Sequence, residues 1–286
     1  MNSLIAFGWT VEVQELWRAH GTQNCLPARV VRVDRGLLTL VTPDGERRLP
    51  LAGRLRKTHT VPAVGDWTMI EADAVGGILP RRNALLRRDT DGSAEAQVVA
   101  ANVDLVIVAV PLTESVRVRK LERYLAFARS SEAEPLVVLT KADLCPDVDA
   151  AIEDARSVAG GAGVHAVSAV SGDGIDDLLR QLRTGSTVVV VGPSGSGKST
   201  LANALGAERE QATGAIREDG RGRHITTARQ MLRLTGGALL IDTPGCARCP
   251  CGTPKRPSHR PLAMWLRWPL GAGSATARTV PSRAVR

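Results

Sequence analysis

The stretch with the clearest chemistry runs from Thr187 to Leu205, TVVVVGPSGSGKSTLANAL. Its apolar β-branched beginning predicts a buried strand, which leads into a glycine-rich loop and then a helical segment near Lys198. The spacing of Gly192, Gly197, Lys198 and Ser199 is that of a phosphate-binding loop. Glycines let backbone N–H groups surround a phosphate, the lysine reaches the β- and γ-phosphate oxygens, and the serine offers a hydroxyl to Mg²⁺. The sequence therefore predicts a nucleoside triphosphate site formed by Gly192, Pro193, Ser194, Gly195, Ser196, Gly197, Lys198, Ser199 and Thr200.

A second motif, Thr140-Lys141-Ala142-Asp143, follows another apolar run and resembles the guanine-reading motif of GTPases, usually written NKxD. A carboxylate such as Asp143 accepts hydrogen bonds from N1–H and from the exocyclic amino group of guanine, a pattern that adenine does not offer. Lys141 would lie along the base. Thr140 replaces the usual asparagine, whose amide ties this loop to the phosphate-binding loop, so we expect that connection to be lost. Ser168 and Ala169, after the next predicted strand, would support the base.

A third motif, Asp242-Thr243-Pro244-Gly245, resembles the DxxG switch of GTPases. Asp242 would hold Mg²⁺ through water, and the N–H of Gly245 would face the γ-phosphate. All the elements of a GTPase are present, but the guanine-reading elements precede the phosphate-binding loop instead of following it.

The pattern of strands and helices predicts an α/β protein with two folded parts. Five short β-type runs between Pro27 and Arg88 predict a small OB-type barrel, and strands alternating with helices from Val103 onward predict a doubly wound sheet. We expect a leader at residues 1–24, the barrel at 25–90, a circularly permuted GTPase domain at 91–245 and an irregular tail at 246–286.

The net charge of +8 is concentrated at the end of the chain. From Cys246 onward there are eight Lys or Arg residues and no Asp or Glu, which leaves 29 basic and 29 acidic residues before it. A local basic cluster around the predicted barrel nevertheless favours contact with a nucleic-acid backbone. Its members are Arg47, Arg48, Arg54, Arg56, Lys57, His59, Arg81, Arg82, Arg87 and Arg88. With five cysteines, no signal segment and no apolar run of roughly 18 residues, we expect a cytoplasmic protein that does not enter a membrane.

The reversed motif order behind an OB-like barrel resembles the circularly permuted GTPases of the small ribosomal subunit biogenesis GTPase RsgA family, over about Phe7 to Gly245. The matching segments are Gly8-Trp9, Pro27 to Val30, Val64 to Trp67, Leu79 to Arg81, Ala101 to Asp104, Arg123 to Leu125, Gly192 to Thr200 and Gly222 to His224. The resemblance implies GTP hydrolysis stimulated by the small subunit, with Mg²⁺ as cofactor and the barrel docked on ribosomal RNA. It also implies ribosome assembly factors as partners, and we expect a monomer.

The same resemblance places the groups that would act in hydrolysis at His224 to Thr227, before the last two predicted strands. His224 would position the attacking water, because Cys246 stands where many GTPases carry a glutamine. The family pattern has three threonines after the histidine, but Ile225 replaces the first, so Thr226 and Thr227 share the expected Mg²⁺ role.

The tail departs from the family, which holds one zinc ion after the DxxG motif. Cys246, Cys249, Cys251 and His259 do not have the family's spacing, so we expect no zinc there. The tail is rich in proline, lacks acidic residues and shows no helical period, which suggests translation out of frame. The alternative function is accordingly a catalytically impaired RNA-binding protein, a truncated or frameshifted product.

Overall fold

A sheet of parallel strands, built from the apolar runs of the second half of the chain, positions all three motifs. The computed structural model describes residues 2–22, 24–34, 36–57, 61–88, 96–207 and 229–242. The parallel strands are β8 (Leu105–Pro111), β9 (Glu134–Thr140), β10 (Gly163–Val167), β11 (Thr187–Val191) and β13 (Leu239–Asp242). Their order across the sheet is β10-β9-β8-β11-β13. Parallel strands end at the same side of a sheet. We call the side where Pro111, Thr140, Val167, Val191 and Asp242 end these strands the carboxyl edge.

Helices cover both faces of this sheet, because successive side chains of a strand point to opposite faces. The helices are α4 (Val118–Arg129), α5 (Val148–Ala159), α6 (Ile175–Gln181) and α7 (Lys198–Ala204). In β11, Val189 and Val191 belong to the core that contains the apolar residues of α4 and α5. Val188 and Val190 belong to the core formed with α6 and α7. The doubly wound sheet predicted from the sequence is confirmed by this arrangement.

The N-terminal part has its own small core and five antiparallel strands. It contains the helices α1 (Asn2–Ala6), α2 (Val11–His20) and α3 (Gly53–Lys57), and the strands β1 (Leu26–Asp34), β2 (Leu37–Thr42), β3 (Gly45–Pro50), β4 (Trp67–Glu71) and β5 (Ala74–Ile78). The pairing runs β3-β2-β1-β4-β5, and a parallel bridge between Leu51 and Val75 joins its two ends. The apolar interior includes Val30, Leu40 and Ile70. None of the described helices is both long and apolar enough to cross a membrane.

The two parts share one continuous sheet. β12 (Arg229–Arg233) pairs antiparallel with β13 on one side and with β1 on the other. A hairpin that the sequence did not predict, β6 (Ala84–Arg88) with β7 (Ala96–Ala101), forms a separate two-stranded sheet at the junction. The segment around Arg47 and Arg48, which the sequence analysis placed only in the basic cluster, is the strand β3. In this short edge strand Glu46 and Arg48 are exposed and Arg47 is half-buried, an alternation that the basic composition obscured.

A buried arginine holds the leader, the N-terminal strands and the parallel sheet together. The side chain of Arg29 in β1 is only 2% exposed. Its guanidinium donates to the carbonyl of Phe7 and, at 2.6 Å, to Oγ1 of Thr187, the first residue of β11. It also lies 4.9 Å from the ring centroid of Trp67, a cation–π contact. Burial lowers the pKa of Arg29 to about 10, partly offset by Asp104, so the group stays charged at neutral pH.

Other contacts at this junction come from segments that the sequence analysis named only because they resemble the RsgA family. Arg81 donates to both carboxylate oxygens of the fully buried Asp66, at 2.7 Å each. Burial alone would lower the pKa of Arg81, but the hydrogen bonds and charge of Asp66 raise it. Asn102 donates to Gly65 O at 3.0 Å, and a Cβ at Gly65 would lie 2.1 Å from Ala101 O. These turns are therefore requirements of the junction.

We expect Arg29→Ala to lower the free energy of unfolding by about 3–5 kcal/mol, because the substitution leaves a cavity and removes buried donors. The neighbouring Arg32 is half-exposed and paired with Asp34 at 3.0 Å, so Arg32→Ala should change it by only about 0–1 kcal/mol. Urea unfolding followed by tryptophan fluorescence measures both. Equal unfolding midpoints for the two variants would contradict the assignment of Arg29 as the centre of the junction.

Candidate nucleotide-binding site

The phosphate-binding loop lies at the carboxyl edge, between the fully buried strand β11 and helix α7. Gly192 has φ +153°, and a Cβ there would lie 2.4 Å from Ala109 O of the neighbouring strand β8. Gly197 precedes α7 in the left-handed region, with φ 76°. Lys198 Nζ donates to Pro193 O at 2.7 Å and to Gly192 O at 3.1 Å. The lysine ammonium therefore lies against the first turn of the loop, where phosphate oxygens would be bound.

The guanine-reading loop is attached to the phosphate-binding loop by a side chain that the sequence analysis discounted. Thr140 ends β9 and is buried, and its Oγ1 donates to Ser196 O at 2.8 Å. The expectation that the connection is lost without asparagine is wrong, because a threonine hydroxyl reaches the same loop across the end of β8. Ser196 is also fully buried. This hydrogen bond fixes the separation between the loop that would bind the base and the loop that would bind the phosphates.

Asp143 is oriented by Ser168, a contact that the sequence analysis did not predict. Ser168 follows β10 and is buried, and its Oγ donates to Asp143 Oδ1 at 2.6 Å. The same hydroxyl accepts from the N–H groups of Val170 and Ser171 at 3.3 and 3.2 Å, which fixes its direction. Asp143 itself is exposed, and within the described part of the chain no group donates a hydrogen bond to its Oδ2. The carboxylate is therefore held at one oxygen and presented to solvent at the other.

Lys141 and Ala169 complete this side of the site. Lys141 has φ 61° and ψ 41° and precedes a 3₁₀ turn at Ala142–Leu144 that carries Asp143. Ala169 is partly exposed beside Ser168. Because β9 and β10 are adjacent and parallel, with Thr140 opposite Val167, the two loops meet at one point of the carboxyl edge.

The two described metal-ligand candidates end up on neighbouring elements. Ser199 is exposed in the first turn of α7, and Asp242 is the half-buried last residue of β13. β13 pairs in parallel with β11, the strand that leads into the phosphate-binding loop. A hydroxyl and a carboxylate oxygen are hard ligands of the kind that Mg²⁺ prefers, so the donor set fits that ion.

Several predicted site residues lie outside the described part of the chain. They are His224, Thr226, Thr227, Gly245 and the weak zinc candidates Cys246, Cys249, Cys251 and His259. Their assigned roles remain predictions.

The basic cluster offers less unpaired positive charge to a nucleic acid than the sequence suggested, because five of its arginines contact carboxylates. The ion pairs are Arg47 with Asp73, Arg48 with Asp34, Arg54 with Glu71, Arg81 with Asp66, and Arg82 with Asp104. Arg56 is exposed and Arg87 is half-buried, whereas the side chains of Lys57 and Arg88, and all of His59, are not described. Exposed ion pairs contribute only about 0–1 kcal/mol each, so such arginines exchange partners readily. The pair of Arg81 with buried Asp66 does not belong to this exchangeable set.

Comparison with known proteins agrees with this geometry. The family model described as RsgA GTPase matches residues 78–250. A protein of Syntrophotalea carbinolica named small ribosomal subunit biogenesis GTPase RsgA is 43% identical in an alignment of length 254 that covers 83% of this chain and 70% of that protein. The crystal structure of YjeQ from Thermotoga maritima is 25% identical and superposes with a TM-score of 0.59, over 79% of this chain and 76% of that one.

The fold is also that of a permuted GTPase. The structure of YloQ, described as a circularly permuted GTPase, superposes with a TM-score of 0.56 at 24% identity, over 80% of this chain and 75% of that one. The description of that structure as circularly permuted agrees with the reversed order of the motifs in this chain. Since the family model matches more than half of the chain and a relative shares 43% identity over most of it, the chain belongs to the RsgA GTPase family.

Proposed function

We propose that the protein binds and hydrolyses GTP and assists late maturation of the small ribosomal subunit, which stimulates the hydrolysis. The observation that carries the proposal is the hydrogen bond from Thr140 to Ser196, which joins a guanine-reading loop to a phosphate-binding loop at one edge of the sheet. The relatives' names, which describe GTPases of small-subunit biogenesis, support the cellular role. They do not favour the alternative of an RNA-binding protein without turnover.

Guanine recognition rests on the two oxygens of Asp143. Ser168 holds Oδ1 from behind, so the carboxylate keeps one orientation toward N1–H and the exocyclic amino group of the base. Adenine would instead present an unprotonated N1 and a C2–H to the carboxylate, in place of the N1–H and the 2-amino group of guanine. Because an unpaired acceptor is costly, this arrangement discriminates strongly between the two purines.

Phosphate binding is assigned to Lys198 and to the backbone N–H groups of residues 192–199 other than Pro193, which has none. Ser199 and Asp242 would hold Mg²⁺, Asp242 through water, with Thr226 or Thr227 completing the set. When bound, the ion would neutralise charge that develops on the β- and γ-phosphate oxygens. Gly245 would sense the γ-phosphate, and a neutral His224 would orient the attacking water by a hydrogen bond.

The partners follow from the same proposal. The N-terminal strands, proposed to be an OB-type domain, would contact ribosomal RNA through exposed arginines such as Arg56, and the protein would act as a monomer in the cytoplasm beside ribosome assembly factors. The zinc of the family is not proposed here, because the cysteine spacing after Gly245 does not fit it.

The proposal is tested by single-turnover hydrolysis of GTP with and without purified small ribosomal subunits. We expect the subunits to raise the rate at least about 10-fold, because they would bring the hydrolytic groups into place. Unlabelled GTP should displace a fluorescent GDP, whereas equal concentrations of ATP should not. Nucleotide binding without any turnover in the presence of subunits would contradict the enzymatic role.

Asp143→Asn should weaken GTP binding by about 100-fold or more, because the amide presents a donor where guanine presents its amino group. Xanthosine triphosphate carries an oxygen at that position and should therefore bind the variant better than it binds the original protein. Competition against a fluorescent nucleotide gives both affinities. The matched control is Asp149→Asn, which removes the same charge from an exposed position of α5 and should leave both affinities unchanged.

Thr140→Val should reduce GTP affinity by about 10-fold, because it keeps the shape of the side chain but leaves the buried Ser196 carbonyl without its donor. Thr140→Ser keeps the hydroxyl and should stay within about 2-fold of the original affinity on the same reasoning. Titration calorimetry with GDP measures both variants. An unchanged affinity for Thr140→Val would show that the two loops hold their separation without this bond.

A further inference from the structure

Arg229 connects the two sheets of the protein. It is the first residue of β12, and its guanidinium extends to the β6–β7 hairpin. Nη1 donates to Val98 O at 3.0 Å, and Nη2 donates to Gln97 Oε1 at 2.9 Å. Val98 and Gln97 lie on β7, which belongs to the separate two-stranded sheet. Because two nitrogens of a planar group are bonded at once, the contact fixes orientation as well as distance.

The strand that Arg229 begins is the one that holds Asp242. Gln230, the next residue, pairs with Asp242 of β13 and with Arg32 of β1. On the opposite side of β13, the pairing with β11 ends at Ile241, opposite Val189. In the strand ladder, Asp242 pairs with Gln230 of β12, one residue beyond the last pair of β13 with β11. The position of β12 therefore contributes to where Asp242 lies.

We propose that Arg229 is a positioning residue for the metal side of the nucleotide site, which it controls from the β6–β7 hairpin. Its two hydrogen bonds fix the first residue of β12, Gln230 transmits that position through one strand pair, and Asp242 takes its place beside the phosphate-binding loop. Movement of β7 relative to β12 would change the Mg²⁺ requirement without touching the residues that bind guanine. This inference rests on the proposed function, because it assigns Asp242 to Mg²⁺.

Two variants and a matched control test the inference. Arg229→Ala removes both bonds, and Gln97→Ala removes one of them at an exposed residue, leaving the bond to Val98 O. Arg233→Ala removes an exposed arginine from the same strand. The readout is the dissociation rate of a fluorescent non-hydrolysable GTP analogue, measured in Mg²⁺ and in EDTA. The ratio of the dissociation rate in EDTA to the rate in Mg²⁺ reports how much the ion slows dissociation, and it requires no catalysis.

We expect Arg229→Ala to reduce the slowing of dissociation by Mg²⁺ about 3- to 10-fold, the size of effect seen for residues that act on a site through others. The rate in EDTA should not change, because the residues that bind base and phosphates are untouched. Gln97→Ala should shift the ratio in the same direction by a smaller factor, and Arg233→Ala should match the original protein. Should Arg229→Ala fail to fold, the ratio for Gln97→Ala decides the question.

Equal Mg²⁺ ratios for Arg229→Ala, Gln97→Ala and Arg233→Ala would overturn the inference, and so would equally faster dissociation in Mg²⁺ and in EDTA, which indicates general loosening. Those outcomes leave the proposed function intact if the original protein hydrolyses GTP with subunits. An original protein that binds the analogue equally well with and without Mg²⁺ would instead contradict the assignment of Asp242, and the inference would fall with it.

Discussion

The nucleotide site depends on the parallel pairing of β9, β8 and β11, which brings the ends of three strands to one edge of the sheet. Strand pairing requires only that two strands lie side by side in the sheet. It does not depend on the order of the strands in the sequence. The guanine-reading loop after β9 and the phosphate-binding loop after β11 therefore meet although their order is reversed. The hydrogen bond from the Thr140 hydroxyl to the Ser196 carbonyl then fixes the distance between the two loops, because a hydrogen bond allows only a narrow range of lengths.

A second constraint is that the N-terminal strands and the parallel sheet are one hydrogen-bonded structure. β1 pairs with β12, and Arg29 on β1 donates to Thr187 at the start of the strand that leads to the phosphate-binding loop. A charged group at 2% exposure is costly unless its hydrogen bonds are made. The leader, through Phe7, and the ring of Trp67 contribute to that compensation, which makes all three segments interdependent.

Periodicity and motif spacing predicted the parts of the fold that depend on local sequence. The strand Thr187–Val191 and the helix that begins at Lys198 follow from an apolar run and from glycine positions, and the structure has both elements there. The β1–β12 pairing was not predictable, because it joins segments distant in the chain. The β6–β7 hairpin was missed although its two strands are close in the chain. The hydrogen bond of Thr140 to the phosphate-binding loop was also missed. A motif comparison requires the same residue type, whereas a hydrogen bond requires only a donor within reach.

The arginines show most clearly why composition cannot replace this structural information. Counted by charge alone, those of the main body all favour a nucleic-acid surface. In the structure, Arg29 is buried against a ring, Arg81 neutralises a buried aspartate, and Arg229 joins two sheets. Each of these three donates hydrogen bonds to protein acceptors whose loss would be costly, unlike an exposed residue such as Arg56. Basic residues near a junction therefore divide into those that hold the protein together and those that remain available to a polyanion, and only burial and hydrogen bonding separate the two.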